Sequence, residues 1–336
     1  MKRDALILTE GGKSFGFGHI ARCTALYQAF ESRGFQPRLV INGDGSVPAF
    51  IQGLNADLLC WLEDGHLNNL LATGPDVVVI DSYWAPEPVY RAVSETVRAA
   101  VYLDDYKRLS YPPGFVVNGT AHAEQFLYPS REGTAYLLGE HYVPLRSAFW
   151  DVSPVSVRET VANVLLTMGG SDMKQGTPLC YQAIKAEYPA VKKTVILGHG
   201  CLPGSALKEQ ADKQTEFVSA LDARQMKARI LEADLAVSAG GQTLYELARC
   251  GVPTLAVCVA DNQSANVRGL SRKGVIEYCG RMDDPDVFTN LRAGLRKFSD
   301  KGLRQGLSEA GKSCVDGQGA IRIVDAVVSA GAMLFR

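Results

Sequence analysis

Gly16-Phe17-Gly18-His19-Ile20-Ala21-Arg22 stands between an apolar run, Ala5-Leu6-Ile7-Leu8, and a helical pattern with apolar positions at Ala21, Leu26, Ala29 and Phe30. A strand, a glycine-bearing loop and a helix in that order are the opening unit of an α/β sheet. Gly16 and Gly18 let the backbone turn tightly and approach a ligand, and the helix start offers unpaired N–H groups to an anion. His19 sits at that point. An imidazole so placed is a candidate base near neutral pH.

Outward from this stretch, short apolar runs alternate with helical patterns. Ala5–Thr9, Pro37–Asn42, Val77–Asp81, Ala100–Asp104 and Phe115–Asn118 are apolar throughout rather than alternating, as strands covered on both faces are. Helices are predicted from about His19 to Arg33, Leu67 to Ala72 and Pro88 to Arg98. The alternation implies a parallel, doubly wound sheet with right-handed crossovers. Ligands of such sheets lie beyond the carboxyl ends of the strands. Gly16–His19, Asp81-Ser82-Tyr83 and Asp104-Asp105 are therefore expected on one rim. Asp104 and Asp105 are adjacent at a strand end and point apart, which argues against a metal pair.

The pattern breaks at Tyr142–Pro154 and then restarts, predicting domains at 1–145 and 155–336, the final helices being free to pack back on the first. The second half offers strands at Asn163–Met168, Lys193–Leu197, Thr215–Phe217, Leu235–Ser238, Thr254–Val259 and Val275–Tyr278. Two similar α/β halves with a cleft between them are expected. From Asp286 onward the chain reads as helices, with Asp283-Asp284-Pro285-Asp286 as a start signal and Gly302 and Gly311 as breaks.

The second half also carries a tight constellation. Ala239-Gly240-Gly241 turns after a strand, and Gln242-Thr243-Leu-Tyr-Glu246 opens a short helix stopped by Gly251 and Pro253. The two glycines expose N–H groups at the positive end of that helix, which suits a diphosphate. Thr243 and Glu246 share a helix face, and a carboxylate there suits two ribose hydroxyls. Gly169-Gly170-Ser171 repeats the strand–glycine–helix arrangement.

A formal charge of −1 excludes the electrostatic footprint of a nucleic-acid binder. No apolar run approaches a membrane span, and Met1–Leu8 lacks a signal-peptide pattern. Eight scattered cysteines without a C-x-x-C pair suit reduced thiols, so a cytoplasmic location is expected. His66, His122, His141 and His199 show no ligand spacing, and no metal site is expected. Gly11-Gly-Lys13-Ser14 lacks the first glycine of a phosphate loop, since position 7 is Ile7. Gly16-x-Gly18-x-x-Ala21 with Asp44 matches the dinucleotide fingerprint formally, but six residues separate it from the strand.

Gly16-x-Gly18-His19-x-x-Arg22, Asp81-x-Tyr83, Gly139-x-x-Tyr142-x-x-Leu145-Arg146-x-x-Phe149, Gly169-Gly170-Ser171-Asp172, Ser238-Ala239-Gly240-Gly241-x-Thr243-x-x-Glu246 and Asn262-Gln263 occur in that order. The set resembles the UDP-2,4-diacetamido-2,4,6-trideoxy-β-L-altropyranose hydrolases of pseudaminic acid biosynthesis, relatives of the MurG-type glycosyltransferases. It covers residues from about 5 to 280. Two places depart from the family pattern: Leu8-Thr9-Glu10 stands where Arg-x-Asp is usual, and Phe17 where tyrosine is common.

The resemblance implies a two-domain GT-B fold, and UDP bound mainly by the second half near Gly240, Gly241, Gln242, Thr243, Glu246, Asn262 and Gln263, with Gly170 and Ser171. It implies a sugar facing Gly16, Gly18, His19, Arg22 and Tyr83, with metal-independent inverting hydrolysis and no cofactor. Other enzymes of nonulosonic acid synthesis are the partners to expect. The residues agree with that chemistry: a nucleoside diphosphate is a good leaving group, so one base to activate water suffices, and His19 supplies it. Tyr83 is placed to hydrogen-bond the water, the sugar or the phosphate. The rival readings are a GT-B glycosyltransferase using a UDP-sugar donor, and a non-catalytic UDP-sugar-binding protein.

Overall fold

The computed structural model describes residues 3–13, 16–48, 50–170, 172, 175–198 and 204–334. The chain divides into two compact units, residues 1–147 with 317–336, and residues 148–316. Unit 1 holds strands β1 (Arg3–Gly11), β2 (Phe35–Gly43), β3 (Ala56–Leu58), β4 (Val77–Asp81), β5 (Ala99–Leu103), β6 (Gly114–Asn118) and β7 (Thr134–Leu138). Its helices are α1 (Gly18–Ser32), α2 (His66–Leu71) and α3 (Glu87–Thr96). All seven strands are parallel, in the order β3-β2-β1-β4-β5-β6-β7. Ile7, Leu8, Val79 and Ile80 are fully buried, as expected of central strands covered on both faces.

Unit 2 repeats the plan with β8 (Asn163–Thr167), β9 (Lys192–Leu197), β10 (Thr215–Ser219), β11 (Leu235–Ala239), β12 (Thr254–Cys258) and β13 (Ile276–Arg281). Their parallel order is β10-β9-β8-β11-β12-β13. The helices of this unit are α4 (Gly176–Glu187), α5 (Ser205–Gln210), α6 (Ala223–Leu231), α7 (Thr243–Cys250), α8 (Ser264–Arg272), α9 (Val287–Lys297) and α10 (Lys301–Cys314). The last helix, α11 (Gly319–Leu334), belongs to unit 1, where it packs on α1 and Asp325 pairs with Arg33 at 2.6 Å.

Both sheets reverse their winding at one place, between β1 and β4 in unit 1 and between β8 and β11 in unit 2. Crevices beyond the strand ends at such a reversal are where doubly wound sheets take ligands. The register sets Thr9 beside Asp81 in unit 1 and Thr167 beside Ser238 in unit 2. The glycine turns after β1, β8 and β11 therefore open at the two reversal points.

The structure differs from the sequence reading at the sheet edge and in the last helices. β3 and β7 are short outer strands with mostly half-buried or exposed residues, so they lack the continuous apolar signal of the central ones. Gly302 and Gly311 do not break the helical pattern, since both lie inside α10. A Cβ on Gly311 would stand 3.1 Å from the Ala248 carbonyl oxygen, so this glycine permits a close crossing of α10 over α7. Gly302 sits in the first turn, where its N–H donates to the capping Asp300 carboxylate at 2.7 Å. Among the described residues no helix is long and apolar enough to cross a membrane.

Candidate active site

In unit 1 the backbone after β1 folds back on itself, Gly12 and Gly16 exchanging hydrogen bonds of 3.0 and 2.8 Å. Gly16 has φ +83°, a left-handed conformation that favours glycine. Asp44 closes this loop from the end of β2, accepting from the Lys13 N–H at 2.9 Å and the Ser46 N–H at 2.9 Å. The acidic residue that a dinucleotide reading would assign to a ribose is thus directed at the protein backbone. α1 then starts at Gly18 with Phe17 at its N-cap and no side-chain cap from that residue. An ideal Cβ on Gly18 would meet nothing within 4 Å.

His19, in the first turn of α1, turns Nδ1 toward Asp81 at the end of β4, 2.8 Å from Oδ1. The approach is close but outside regular hydrogen-bond geometry. Asp81 also takes a bidentate grip from Arg22, one turn further along α1, with Nε–Oδ2 at 2.5 Å and Nη2–Oδ1 at 2.7 Å. The third guanidinium nitrogen, Nη1, donates to Asp105 just beyond β5 at 2.6 Å. Asp105 in turn accepts the Tyr83 hydroxyl. The Tyr83 ring stands edge-on to the imidazole, with centroids 4.4 Å apart and planes at 87°.

Burial alone would raise the Asp81 carboxyl, but Arg22 and His19 outweigh it and hold the group well below the usual carboxylate range. Asp105 behaves alike: burial raises it, while Arg22 and the Tyr83 hydroxyl bring it below its ordinary value. For Arg22 the two carboxylates overcome burial and strengthen the bound proton. All three groups are therefore ionised at neutral pH. Beneath them Glu10, buried at the end of β1, accepts the Tyr83 N–H at 2.6 Å and the Ser82 hydroxyl at 2.5 Å. Ser82 Oγ accepts the N–H groups of Trp84 and Ala85 at 3.0 and 2.9 Å. The turn carrying Tyr83 is thus pinned by a carboxylate.

In unit 2 the turn Gly240-Gly241 leads from β11 into α7. Gln263 Oε1 accepts both the Gly240 N–H at 3.1 Å and the Val259 N–H at 3.0 Å. A Cβ on Gly240 would fall 2.4 Å from Val267 Cγ1. Gly240 and Gln263 therefore serve each other, and the N–H expected to face a diphosphate is directed at a side chain. Gly241 differs, since its Cβ would meet only Gln263 Nε2 at 3.9 Å. Thr243 is half-buried, Glu246 is buried in the first turn of α7, and Asn262 is exposed. Gln242 at the N-cap makes no side-chain cap.

The other turn of unit 2 contrasts with this one. Gly169 has φ +85°, and the Gly170 carbonyl lies so close to Gly198 that a Cβ there would be 2.0 Å away. Ser171 lies outside the described residues. Asp172 Oδ1 and Oδ2 accept the N–H groups of Gly176 and Thr177 at 2.7 and 2.9 Å, so the start of α4 already holds a carboxylate. The two strand–glycine–helix turns are alike in sequence and unlike in what they hold.

Of the residues expected at the unit 1 rim, Gly16, Gly18, His19, Arg22 and Tyr83 are brought together, but Arg22 directs its donors at Asp81 and Asp105 rather than outward. The Tyr83 hydroxyl likewise donates inward. Asp81 and Asp105 were placed on the rim by the sequence reading without a role. Their signal was available: each is an acidic residue at or just past the end of an apolar strand, and the winding reversal puts β4 beside β1.

Two parallel doubly wound sheets with glycine turns at their reversal points define the GT-B class. The fold matches the crystal structure of Acinetobacter baumannii MurG, with a TM-score of 0.69 and 14% identity over 98% of this chain and 100% of that one. In sequence the chain is similar to the Helicobacter pylori protein "Pseudaminic acid cytidylyltransferase and UDP-2,4-diacetamido-2,4,6-trideoxy-beta-L-altropyranose hydrolase", 22% identical over 289 residues. The match takes in 85% of this chain and 50% of that protein, so the chain spans about half the length of this relative. It is also 23% identical to the Bacillus subtilis spore coat polysaccharide biosynthesis protein SpsG over 330 residues, 94% of this chain and 95% of SpsG. No protein-family model matches the chain.

Proposed function

We propose that the protein hydrolyses a UDP-activated deoxy amino sugar to UDP and the free sugar, in the synthesis of a nonulosonic acid. The substrate named for the Helicobacter relative, UDP-2,4-diacetamido-2,4,6-trideoxy-β-L-altropyranose, is the first choice. The observation that carries this reading is the contact of His19 with ionised Asp81 at the winding reversal of unit 1. With Nδ1 facing a carboxylate, Nε2 is the nitrogen left to act as base, and Asp81 stabilises the imidazolium formed.

In the reaction, water attacks the anomeric carbon as His19 takes its proton. The new C–O bond forms while the bond from that carbon to the diphosphate oxygen breaks, and its electron pair leaves with UDP. Attack opposite the leaving group inverts the centre. The leaving diphosphate is already a stabilised anion, so the second carboxyl group that ordinary glycosides need is dispensable. The support for unit 2 as the nucleotide side is the Gly241–Thr243 backbone at the start of α7, with Glu246 in its first turn. Gly240 and Gln263 shape that turn. The reaction is placed in the cytoplasm, without metal or cofactor.

Proton NMR of the purified protein with this UDP-sugar and no acceptor tests the proposal. The parent should release UDP and the α-anomer first, and His19→Gln should release neither. Turnover that appears only when an acceptor sugar or lipid is added would overturn the hydrolase in favour of a transferase. Parental rates in His19→Gln would overturn the base.

A further inference from the structure

The contacts on the unit 1 rim close into a ring. His19 meets Asp81, Asp81 chelates Arg22, Arg22 reaches Asp105, Asp105 holds the Tyr83 hydroxyl, and Tyr83 returns edge-on to His19. α1 supplies two members, and the ends of β4 and β5 and the turn after β4 supply the rest. Asp105 does not touch His19. It reaches the imidazole by two routes, through Arg22 and Asp81 to Nδ1, and through Tyr83 to the ring.

The two routes govern different freedoms of the base. The Asp81 carboxylate, 2.8 Å from Nδ1, favours a proton on that nitrogen and braces that edge of the ring. The perpendicular packing of Tyr83 governs the tilt of the ring plane. A residue holding both Arg22 and Tyr83 therefore acts on the imidazole from two sides.

The adjacent carboxylate shows that Asp105 is not simply a brace for its own loop. Asp104 performs that task, accepting the Tyr106 and Arg108 N–H groups at 3.3 and 3.2 Å and the Tyr128 hydroxyl at 2.7 Å. The hydrogen bonds divide the pair: Asp104 serves the loop and Asp105 serves Arg22 and Tyr83.

We infer that Asp105 is a positioning residue for the reaction, locking His19 through Arg22 and Tyr83. This rests on the reading of His19 as the base. Charge supports it: with Arg22 cationic and both aspartates ionised, the ring carries one net negative charge while His19 is neutral. It becomes neutral when His19 takes a proton during attack.

The test compares Asp105→Asn, Tyr83→Phe and the double variant. Asp105→Asn should lower kcat about ten- to a hundredfold through misplacement of the base, with little change in KM. Tyr83→Phe leaves the Arg22–Asp105 pair intact and cuts one route, so it should lower kcat by less. The double variant should lose less than the product of the two losses, because both act on one orientation. Histidine nitrogen NMR, with the His19 signals assigned through His19→Gln, reads the ring without substrate. The parent should show one tautomer and Asp105→Asn a mixture.

Parental kcat and His19 signals in folded Asp105→Asn would overturn the inference, as would losses that multiply fully. Should the parent fail to turn over the sugar, the hydrolase reading falls, and the nitrogen spectra still decide whether Asp105 holds His19. Melting curves establish that the variants are folded.

Discussion

Gly18→Ala separates what the fold needs from what a ligand needs. Gly18 lies at the start of α1, its φ is outside the left-handed region, and a Cβ would meet nothing within 4 Å. Alanine therefore adds no clash and no backbone strain. It removes conformational freedom from the unfolded chain, which stabilises by about 0.4–1 kcal/mol at compatible positions. In a unit of this size that raises the melting temperature by about 1–4 °C. The added methyl stands beside His19, where the proposed reaction brings the substrate close to the helix start. We expect kcat/KM to fall at least about tenfold, equivalent to ~1.4 kcal/mol of lost transition-state stabilisation. Circular-dichroism melts and UDP release measure the two effects on one preparation. Gly11→Ala is the control with the opposite sign, its Cβ lying 2.5 Å from Ile20 Cδ1 and 3.1 Å from the Gly16 carbonyl oxygen. Overpacking there should cost about 1–3 kcal/mol. If Gly18→Ala keeps parental kcat/KM, the substrate does not approach over Gly18. If it melts lower than the parent, the packing argument is wrong.

Three further outcomes follow from the same geometry. Asp172→Ala frees the N–H groups of Gly176 and Thr177 and should cost about 1 kcal/mol in stability. UDP affinity by calorimetry should stay at the parental value; a marked weakening would bring the start of α4 into the nucleotide site. Asp81 and Asp105 are held below the ordinary carboxylate range because Arg22 outweighs their burial. The unfolded chain therefore takes up protons first as pH falls. The stability these groups contribute is complete above roughly pH 4 and is lost below it. Urea midpoints should decline on that side, and less steeply in Asp105→Asn; a flat profile would contradict the pairing. Burial pushes the Cys250 and Cys279 thiols up to about 12. Iodoacetamide at pH 8 should therefore label the half-buried Cys60 and Cys314 before Cys250 and Cys279, and mass spectrometry finding Cys279 modified early would refute this.

The central strands were legible because burial on both faces demands unbroken apolar runs. Val77–Asp81 was placed residue for residue. The same rule hides β3 and β7, whose residues at the sheet edge are mostly half-buried or exposed. Glycine was the ambiguous letter. In Gly251 it ends a helix with φ +73°, whereas in Gly311 it lets two helices touch, a Cβ there meeting the Ala248 carbonyl oxygen at 3.1 Å. A local pattern reports backbone preference, not the distance to a partner far along the chain.

The same limit explains the candidate site. His19 and the two glycine turns could be read locally because a strand, a tight loop and a helix start are contiguous. What each polar group faces could not, since Arg22 meets carboxylates 59 and 83 positions away and Gly240 meets a side chain 23 away. Gly240 and Gln263, read from the sequence as nucleotide contacts, direct these bonds at each other, and Arg22 directs its donors at two carboxylates. Their inward bonds hold in place the neighbours that remain: Arg22 secures Asp81 against His19, and Gln263 fixes the turn that presents Gly241. Such sites are therefore built in two shells from one motif, and the motif alone does not say which letter belongs to which. Asp172 makes the case sharply. It follows a glycine pair just as Thr243 does, yet its carboxylate occupies the helix start that an incoming anion would need. Of two turns with the same local grammar, the one already holding a negative charge is the poorer place for a diphosphate.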